Sequence, residues 1–522
     1  MSKYLIKRIL HGLVSVVIVV MAVMLLIYSA IDKSKIFMQD PLIQKKAAND
    51  KIVYRYQCWE EYGYLTYITY ADWLNEITEK GELDPATRDE AVKFGKTAAE
   101  DTPLSAEYVK KFTDYYENQG YTVERLDVVL QSNKAVAKGG AQKLFAYKNV
   151  PIFVRMFKYF TGIVRFDNKR YAEGPLEGER GLTFTWHDPA YGGEKFSPAV
   201  MGNGTKYRYL IYFDDHFPYF HQNLITINLG KSYTINKGID VWDTMIQPQG
   251  SIVKKQTIYP TGFVEDSAND MHTLTYSAGS RDLGGPFTQT RYTDDYTIAV
   301  NEKNGLSKMG YSFIIGILSS IIAYLLGIPL GLLMSRYQDK LFDKIGTLYI
   351  IFIMAVPSLA YIFMFRAIGI AAGWPITFDG TPQAYILPII SLALPSIGGL
   401  MKWSRRYMID QKNADYVKFA RSGGLSEGEI FRKHILKNAM IIIVQGIPGT
   451  VLFSLVGAII TERVYTVPGT GGMLVNAVTA FDNSAIVGVA LFYALLSVTS
   501  LILGDVLMAT VDPRISFTSK GR

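Results

Sequence analysis

The stretch DYVKFARSGGLSEGEIFRKHILKNA, residues 415–439, is the most informative part of this chain. Its apolar residues recur at intervals of three and four, which predicts two short amphipathic helices. Gly423 and Gly424 mark a break between them, since glycine readily adopts the left-handed backbone with which many helices end. Ser426 and Glu429 have the spacing of a capping box, which can start the second helix. A basic, bent pair of helices beside long apolar segments is typical of a docking element and not of a catalytic site.

Charge is distributed unevenly along the chain. Residues 32–305 hold 36 of the 47 acidic and 33 of the 54 basic residues, a net charge of −3, and the other 248 residues carry a net charge of +10. Because the positive excess belongs to the apolar part and lies in its short loops, it indicates membrane topology rather than binding to nucleic acid. The single cysteine, Cys58, excludes an intrachain disulfide and a cysteine-based metal site. One thiol in an exported segment fits the surface of a Gram-positive cell.

The apolar segments predict an α-helical membrane protein with six transmembrane helices. The first, residues 9–31, has no charged side chain and is about 34 Å long as a helix, enough to cross a bilayer. It is too long for a typical signal peptide and no A-x-A site follows, so we expect an uncleaved span. We therefore divide the chain into residues 1–31, a large α+β extracellular insertion at 32–305, and a five-helix core at 306–522. The apolar segments of this core are 309–335, 345–369, 385–409, 439–461 and 484–510.

The distribution of lysine and arginine predicts a plasma-membrane protein with both termini in the cytoplasm. Basic residues precede the first span, and the loop 402–438 carries nine of them. The predicted outer loops 370–384 and 464–483 carry none. Since positively charged loops stay on the cytoplasmic side, the element at 410–438 should face the cytoplasm.

Several local patterns predict structure inside the insertion. A helix should begin at Asp84-Pro85, with proline in its first turn, and reach Lys96, and a second should cover residues 105–118. Residues 207–213 and 224–228 are rich in β-branched and aromatic residues and predict strands. The aromatic-rich stretches at 151–165 (PIFVRMFKYFTGIVR) and 218–227 can lie at the membrane surface.

The sequence gives no indication that this chain catalyses a reaction. GKT at 95–97 and GKS at 230–232 resemble the end of a phosphate-binding loop, but Glu90 and Ile225 stand where the first glycine of that motif belongs. The six histidines form no ligand pair on one helix face, and no GxSxG motif occurs. We therefore expect no catalytic residue, no metal site and no cofactor bound by this chain.

The stretch Lys418-Phe-Ala-Arg-Ser-Gly-Gly424, followed by Leu-Ser-x-x-x-Ile-x-x-x-His-x-Leu-x-Asn-Ala, resembles the signature loop of permease subunits of bacterial ABC importers. The form is that of the oligopeptide/dipeptide group, the binding-protein-dependent inner-membrane components. GIPLGLL at 327–333, the motif from Glu462 to Gly472 and residues 503–514 have counterparts there in the same order. Lys418 and Phe419 replace the Glu-Ala of other importers. The long insertion resembles that of the streptococcal-type oligopeptide permeases.

The resemblance implies that the chain works with several partners. These would be a homologous second permease, two cytoplasmic ATPases that bind ATP and magnesium, an extracellular lipid-anchored peptide-binding protein, membrane lipid and the peptide itself. The implied ATPase-coupling residues are Asp415, Tyr416, Lys418, Phe419, Ala420, Arg421, Gly423, Gly424, Leu425, Ser426 and Glu429. The candidates for the substrate pathway, chosen by position in the helices, are Met354, Pro357, Ser358, Met401, Ser454 and Glu462. For Glu462, and for Asp505 near the inner end of the last span, an interfacial anchor or a local ion pair is the preferred interpretation.

The sequence disfavours three other classes of function. A membrane-anchored sensor or ligand-binding protein without transport predicts a signalling domain after the last span, where only residues 511–522 follow. DNA binding by residues 415–438 is disfavoured because apolar spans lie on both sides. A secondary transporter would need inverted repeats and coupling-ion acids at the bilayer midplane, and we find neither in the sequence.

Overall fold

The computed structural model of the chain describes residues 2–128, 140–166, 182–187, 196, 198–202, 208–214, 219–222, 225–234, 240–246, 254–258, 264–268 and 306–511. The first element is α1 (Ser2–Ala30), a helix of 29 residues and about 44 Å. It begins before the apolar segment and continues through it. Ile18 and Leu26 are 60% and 67% exposed, as expected for a helix whose surface faces lipid.

The first half of the insertion is built around a three-stranded antiparallel sheet. Its strands β1 (Leu65–Thr69), β2 (Thr122–Arg125) and β3 (Leu144–Asn149) lie in the order β1-β3-β2. Tyr70, Phe94 and Phe112 are fully buried in the core between this sheet and the helices. The helices are α2 (Pro41–Lys45), α3 (Ala48–Glu61), α4 (Tyr70–Glu79), α5 (Pro85–Ala91) and α6 (Pro103–Asn118).

The two helices predicted in this region are present with changed boundaries. α5 begins at Pro85 as predicted, and the Asp84 side chain accepts a hydrogen bond of 2.9 Å from the backbone N–H of Thr87. It ends at Ala91 and not at Lys96, because the chain turns to place Phe94 in the core. The second predicted helix is α6, which begins two residues early.

In the second half of the insertion, the residues that the structure describes lie mainly in strands. α7 (Ile152–Gly162) leads into β4 (Val164–Phe166). A four-stranded antiparallel sheet follows, made of β5 (Leu182–Thr185), β6 (Ala199–Gly202), β7 (Arg208–Asp214) and β8 (Tyr219–Gln222) in that order. The strands predicted at 207–213 and 224–228 correspond to β7 and β9 (Ile225–Ile227), of which β9 pairs with β4. The remaining elements are α8 (Val241–Ile246) and the pair β10 (Lys254–Ile258) and β11 (Val264–Ala268).

The rest of the described chain is helical. Among the described residues, four helices are by themselves long and apolar enough to cross a membrane: α1, α9, α12 and α18. A bent pair, α10 with α11, passes the same test as one span. The elements are α9 (Lys308–Arg336), α10 (Leu341–Ala355), α11 (Ser358–Ala371), α12 (Ile386–Lys412), α13 (Asp415–Ser422), α14 (Glu427–Ile430), α15 (Leu436–Gln445), α16 (Ile447–Tyr465), α17 (Thr470–Thr479) and α18 (Asn483–Val511).

Two apolar segments that the sequence suggests as continuous spans are each divided into two helices. The segment 345–369 bends by 108° between α10 and α11. Pro357 lies at this bend, where it lacks the backbone N–H of a continuous helix and the preceding residue, Val356, is extended. The segment 439–461 is interrupted at Gly446, between α15 and α16.

The helical core is assembled around the contact of α9 with α12. A side chain at Gly331 would place its Cβ 2.7 Å from the backbone oxygen of Met401, and one at Gly327 would lie 2.7 Å from the Leu400 Cβ. Both positions therefore need glycine, and its absence of a side chain lets the two helices approach closely.

Candidate functional site

The 415–439 element has the predicted break and the predicted cap. α13 ends at Ser422, and Gly424 has the left-handed φ of +83°. The Ser426 hydroxyl then accepts from the N–H of Glu429 (3.3 Å), while the Glu429 carboxylate accepts from the N–H of Ser426 (3.2 Å). The second helix does not stop at Ala439, however. It continues through a π-helical turn into α15, because its apolar side continues into that helix.

The inner side of this element is packed against the helices that carry it. Val417 and Ile430 are fully buried, and Ile435 is nearly so. They form one cluster with Met408 on α12 and Ala439 on α15. Since packed interiors resist compression, a displacement of the element should move the ends of both helices.

The outer side of the element exposes one large apolar side chain. Phe419 is 78% exposed, the highest value among the large hydrophobic side chains that the structure describes. Tyr416 and Ala420, which helical spacing predicts on the same face as Phe419, both pack partly against the inner cluster. Of the other predicted coupling residues, two are half-buried (Leu425 and Glu429) and six are exposed: Asp415, Lys418, Arg421, Gly423, Gly424 and Ser426.

Ion pairs order the exposed surface of the element. The Arg421 guanidinium spans the break and donates to both oxygens of Glu427, at 2.5 and 3.2 Å. This pairing lowers the pKa of Glu427, and a hydrogen bond from the Ser426 hydroxyl lowers the pKa of Glu429. Lys418 likewise lowers the pKa of Asp415. Exposed pairs of this kind add little stability, so their effect is mainly to fix geometry.

Three pathway candidates lie on accessible surface at or near the bend. Met354 is 59% exposed and lines a cavity of about 650 Å³ between α10 and α12. The same cavity is lined by three basic side chains and by Asp410, so its charged side is basic on balance. Pro357 is exposed and Ser358 is half-buried at the bend itself. The side chain of another candidate, Ser454, lies outside the described residues.

Two other pathway candidates, Met401 and Glu462, are buried. Met401 is 4% exposed and packs in a cluster with Ala323 and Ile397, so it faces the interior of this chain. Glu462 is 1% exposed and accepts hydrogen bonds from the Ser312 hydroxyl at 2.6 Å and from the Gly472 N–H at 3.0 Å. Neither side chain faces an open surface, and Glu462 fits the alternative role of an anchor.

The close packing around the Glu462 carboxylate explains why glycines occur in the loop that follows it. A Cβ at Gly469 would lie 2.3 Å from the carboxylate carbon of Glu462, and one at Gly471 would lie 2.9 Å from its Oε2. The loop can therefore wrap around this carboxylate only with glycine at both positions. Ser312 also accepts from the N–H of Thr470 at 2.9 Å, which joins α9 to α16 and α17. Nothing in the sequence singles out Ser312 as a partner of Glu462. A buried acid needs hydrogen-bond donors, but this rule does not say which residues supply them.

Ion pairs between spans were only partly foreseen. Asp343 on α10 accepts two hydrogen bonds from Arg405 on α12, at 2.6 and 2.7 Å, and this pair was missed. Asp505 on α18 pairs with Arg8 on α1 at 3.0 Å. A local ion pair was one of the interpretations that the sequence offers for this acid.

The insertion is fastened to the start of α18 by a buried carboxylate. Asp482 is fully buried, and its Oδ2 accepts from the Ser232 hydroxyl (2.7 Å) and from the N–H groups of Tyr233 (3.1 Å) and Thr234 (3.2 Å). The stretch at 230–232 that resembles a phosphate-binding loop thus contributes to a structural contact. Within the described ranges, no group of three or more His, Cys, Asp or Glu side chains could hold a metal ion.

Long apolar helices with an exposed basic element at one end are typical of an integral membrane protein. Residues 327–517 match the family described as binding-protein-dependent transport system inner membrane component. The oligopeptide transport system permease protein AmiC of Streptococcus pneumoniae is 33% identical over the full length of both chains. The chain therefore belongs to the family of peptide-transport permeases of binding-protein-dependent systems.

Shorter relatives match a smaller part of the chain. The dipeptide transport system permease protein DppB of Lactococcus lactis is 28% identical over 40% of this chain and 69% of its own. The oligopeptide transport system permease protein AppB of Bacillus subtilis is 28% identical over 41% of this chain and 71% of its own. The alignment with the pneumococcal protein, in contrast, includes the insertion.

Proposed function

We propose that this chain is the permease subunit of an ATP-driven oligopeptide importer and forms half of its translocation pathway. The observation that carries the proposal is Phe419, an exposed aromatic side chain on a basic element whose opposite side is packed against α12 and α15. A large apolar side chain in such a position is typical of an anchor for a partner surface. The names of the relatives indicate peptides as the cargo.

The coupling step follows from the two sides of the element. A cytoplasmic ATPase takes up Phe419 and its exposed neighbours in a groove. When two such ATPases close on ATP and magnesium, they displace the element, and the buried cluster of Val417 and Ile430 passes the displacement to α12 and α15. ATP hydrolysis takes place on the ATPases, so this chain needs no catalytic group.

The pathway would run along the bend of α10 and α11. Met354, Pro357 and Ser358 are its accessible candidates on this chain, and a homologous second permease supplies the other half. A path for varied peptides should bind the peptide backbone and tolerate any side chain. The cavity beside Met354 suits this, because its lining is partly apolar and partly basic.

The proposed topology has six spans with both termini in the cytoplasm of a Gram-positive cell. Its spans are α1, α9, the pair α10–α11, α12, the pair α15–α16, and α18. The 415–439 element then faces the cytoplasm, in agreement with the nine basic residues of the stretch 402–438. The insertion lies outside the cell, where it receives a lipid-anchored peptide-binding protein or shapes the entrance of the pathway.

Reconstitution tests this function. The chain is purified with its companion subunits, placed in liposomes and supplied with the binding protein, and uptake of a labelled oligopeptide is measured. We expect uptake only when ATP is present on the side of the liposome membrane that the 415–439 element faces. Uptake by this chain in the absence of any ATPase would overturn the proposal, and peptide binding without uptake would favour a sensor.

A further inference from the structure

The insertion exposes an apolar surface on α7 and on the ribbon formed by β4 and β9. On α7, Phe153 and Phe157 are one turn apart and are 69% and 70% exposed. On the ribbon, Val164 pairs with Ile227 and Phe166 with Ile225, which places all four side chains on one face. Surfaces of this kind on a folded protein mark a contact site. We call the following residues the apolar ridge: Phe153, Val154, Phe157, Val164, Phe166, Ile225 and Ile227, each at least 39% exposed.

The opposite side of α7 is fixed to the end of the first long helix. Met156 is 3% exposed and belongs to a cluster with Met24 and Ile27 of α1. The Arg155 guanidinium lies 3.9 Å from the ring centroid of Tyr28 on α1 and 3.8 Å from that of Tyr64 in the insertion. These contacts hold α7 across the end of α1 that is opposite to the 415–439 element.

The ribbon formed by β4 and β9 is attached to the helical core at the same depth as α7. Leu229, two residues after β9, is 3% exposed, and a Cβ at Gly488 of α18 would lie 3.0 Å from the Leu229 Cβ. The ridge therefore lies where α1 and α18 leave their apolar zone. Leu26 of α1, two residues before Tyr28, is 67% exposed, so the lipid-facing surface of α1 extends to the level at which α7 is attached.

We propose that the apolar ridge is a membrane-contact site, at which α7 and the ribbon lie in the boundary between the head groups and the acyl chains of the bilayer. Continuity with the lipid-facing surface of α1 favours lipid over a soluble partner, which cannot reach a surface at bilayer depth. The composition of α7 agrees, because its only charged residues are Arg155 and Lys158. Lys158 is exposed next to Phe157, where its ammonium group can reach lipid phosphates. This contact holds the insertion against the membrane whether or not the chain transports peptides.

Spin labelling of the assembled transporter in liposomes of phosphatidylcholine and phosphatidylglycerol tests the site. F153C and F157C are each labelled with a nitroxide, and accessibility to oxygen, which concentrates in the bilayer, is compared with accessibility to a water-soluble nickel chelate. The native Cys58 is buried and need not be labelled, and C58A serves as a second background. The references are I18C near the middle of α1 and Y115C on α6, whose native side chains are 60% and 53% exposed.

The expected result is an oxygen-to-nickel accessibility ratio at positions 153 and 157 that is several-fold above that of Y115C and below that of I18C, because the boundary lies between water and the middle of the bilayer. A ratio equal to that of Y115C would place the ridge in water and overturn the proposal. Protection from both reagents would also overturn it, because the ridge would then be covered by protein, either the second permease or the peptide-binding protein.

Discussion

At the scale of single residues, Gly424 is a position whose backbone conformation favours glycine. Its φ of +83° lies in the left-handed region, and no atom lies within 4 Å of a Cβ added there. Replacement by alanine therefore costs conformational energy alone, about 1–2 kcal/mol. We expect G424A to loosen the break between α13 and α14 and to lower peptide uptake per ATP hydrolysed in proteoliposomes.

Gly428 provides the matched control for this prediction. It has the same open surroundings without a positive φ. G428A should leave uptake unchanged, since alanine is tolerated at such a position. Equal behaviour of the two variants would show that the left-handed turn has no role in coupling.

Phe419 gives the second prediction at this scale. Because its side chain is exposed, F419A should leave the stability of the chain unchanged. Burial of a phenylalanine side chain in a partner groove is worth about 1.5–3 kcal/mol, so the affinity for the ATPase should fall by roughly 10- to 150-fold. Affinity is measured by titrating the detergent-solubilised permease pair with purified ATPase.

Val417, which is fully buried in the same element, is the control for Phe419. V417A should lower the thermal unfolding midpoint, an effect that F419A should not have. If F419A binds the ATPase as tightly as the unmodified chain, Phe419 is not the anchor.

These residues also show what local sequence can predict. The glycine break and the capping box depend on neighbours within a few positions, and both are found as expected. Met401 and Glu462 were placed in the pathway by their position along a helix. That position does not determine which side of the helix other elements cover, and both side chains are buried.

At the scale of elements, the ion pair between Asp343 and Arg405 joins α10 to α12. Asp343 is 3% exposed, and the two hydrogen bonds give the pair a fixed geometry. R405Q should lower the free energy of unfolding by about 1–3 kcal/mol, since it leaves a buried carboxylate without its partner charge. The measurement is a double-mutant cycle of R405Q with D343N in thermal unfolding.

The neighbouring Arg406 is the control for the ion pair. Its side chain is 65% exposed and lies 4.0 Å from Asp410, so R406Q should change stability by less than about 1 kcal/mol. A coupling energy near zero between Asp343 and Arg405 would contradict a role for the pair in holding α10 on α12.

The bend between α10 and α11 marks a limit of prediction from hydropathy. The segment 345–369 is continuously apolar, and a straight span is the simplest interpretation. Proline does not decide the question by itself, because Pro329 and Pro395 lie inside the continuous helices α9 and α12. Whether a proline breaks a helix depends on the packing around it, which the sequence does not display.

At the scale of the whole molecule, Asp482 links the insertion to the helical core. D482N keeps the size of the side chain but turns one acceptor oxygen into a donor, which opposes the donors of Ser232 and Thr234. We expect faster amide hydrogen exchange at residues 231–234 and unchanged exchange in α12. If exchange at 231–234 is unaltered, this carboxylate does not hold the insertion.

The resemblance of the motifs predicted the family and the helical core. It did not predict how the insertion is attached to that core. The contacts of Asp482 with Ser232 and of Asn483 with Tyr64 join residues that lie 250 and 419 positions apart. No periodicity or local motif records such pairs. The same reason explains why the Ser312 contact of Glu462 could not be predicted.

The central claim is that the 415–439 element receives force from a cytoplasmic ATPase. Its most direct test is a photo-crosslinking amino acid at position 419 in the assembled complex, with the same group at position 115 of the insertion as the reference. We predict an adduct with the ATPase from position 419 and none from position 115. Absence of this adduct, or an adduct of position 419 with an extracellular protein, would contradict the account.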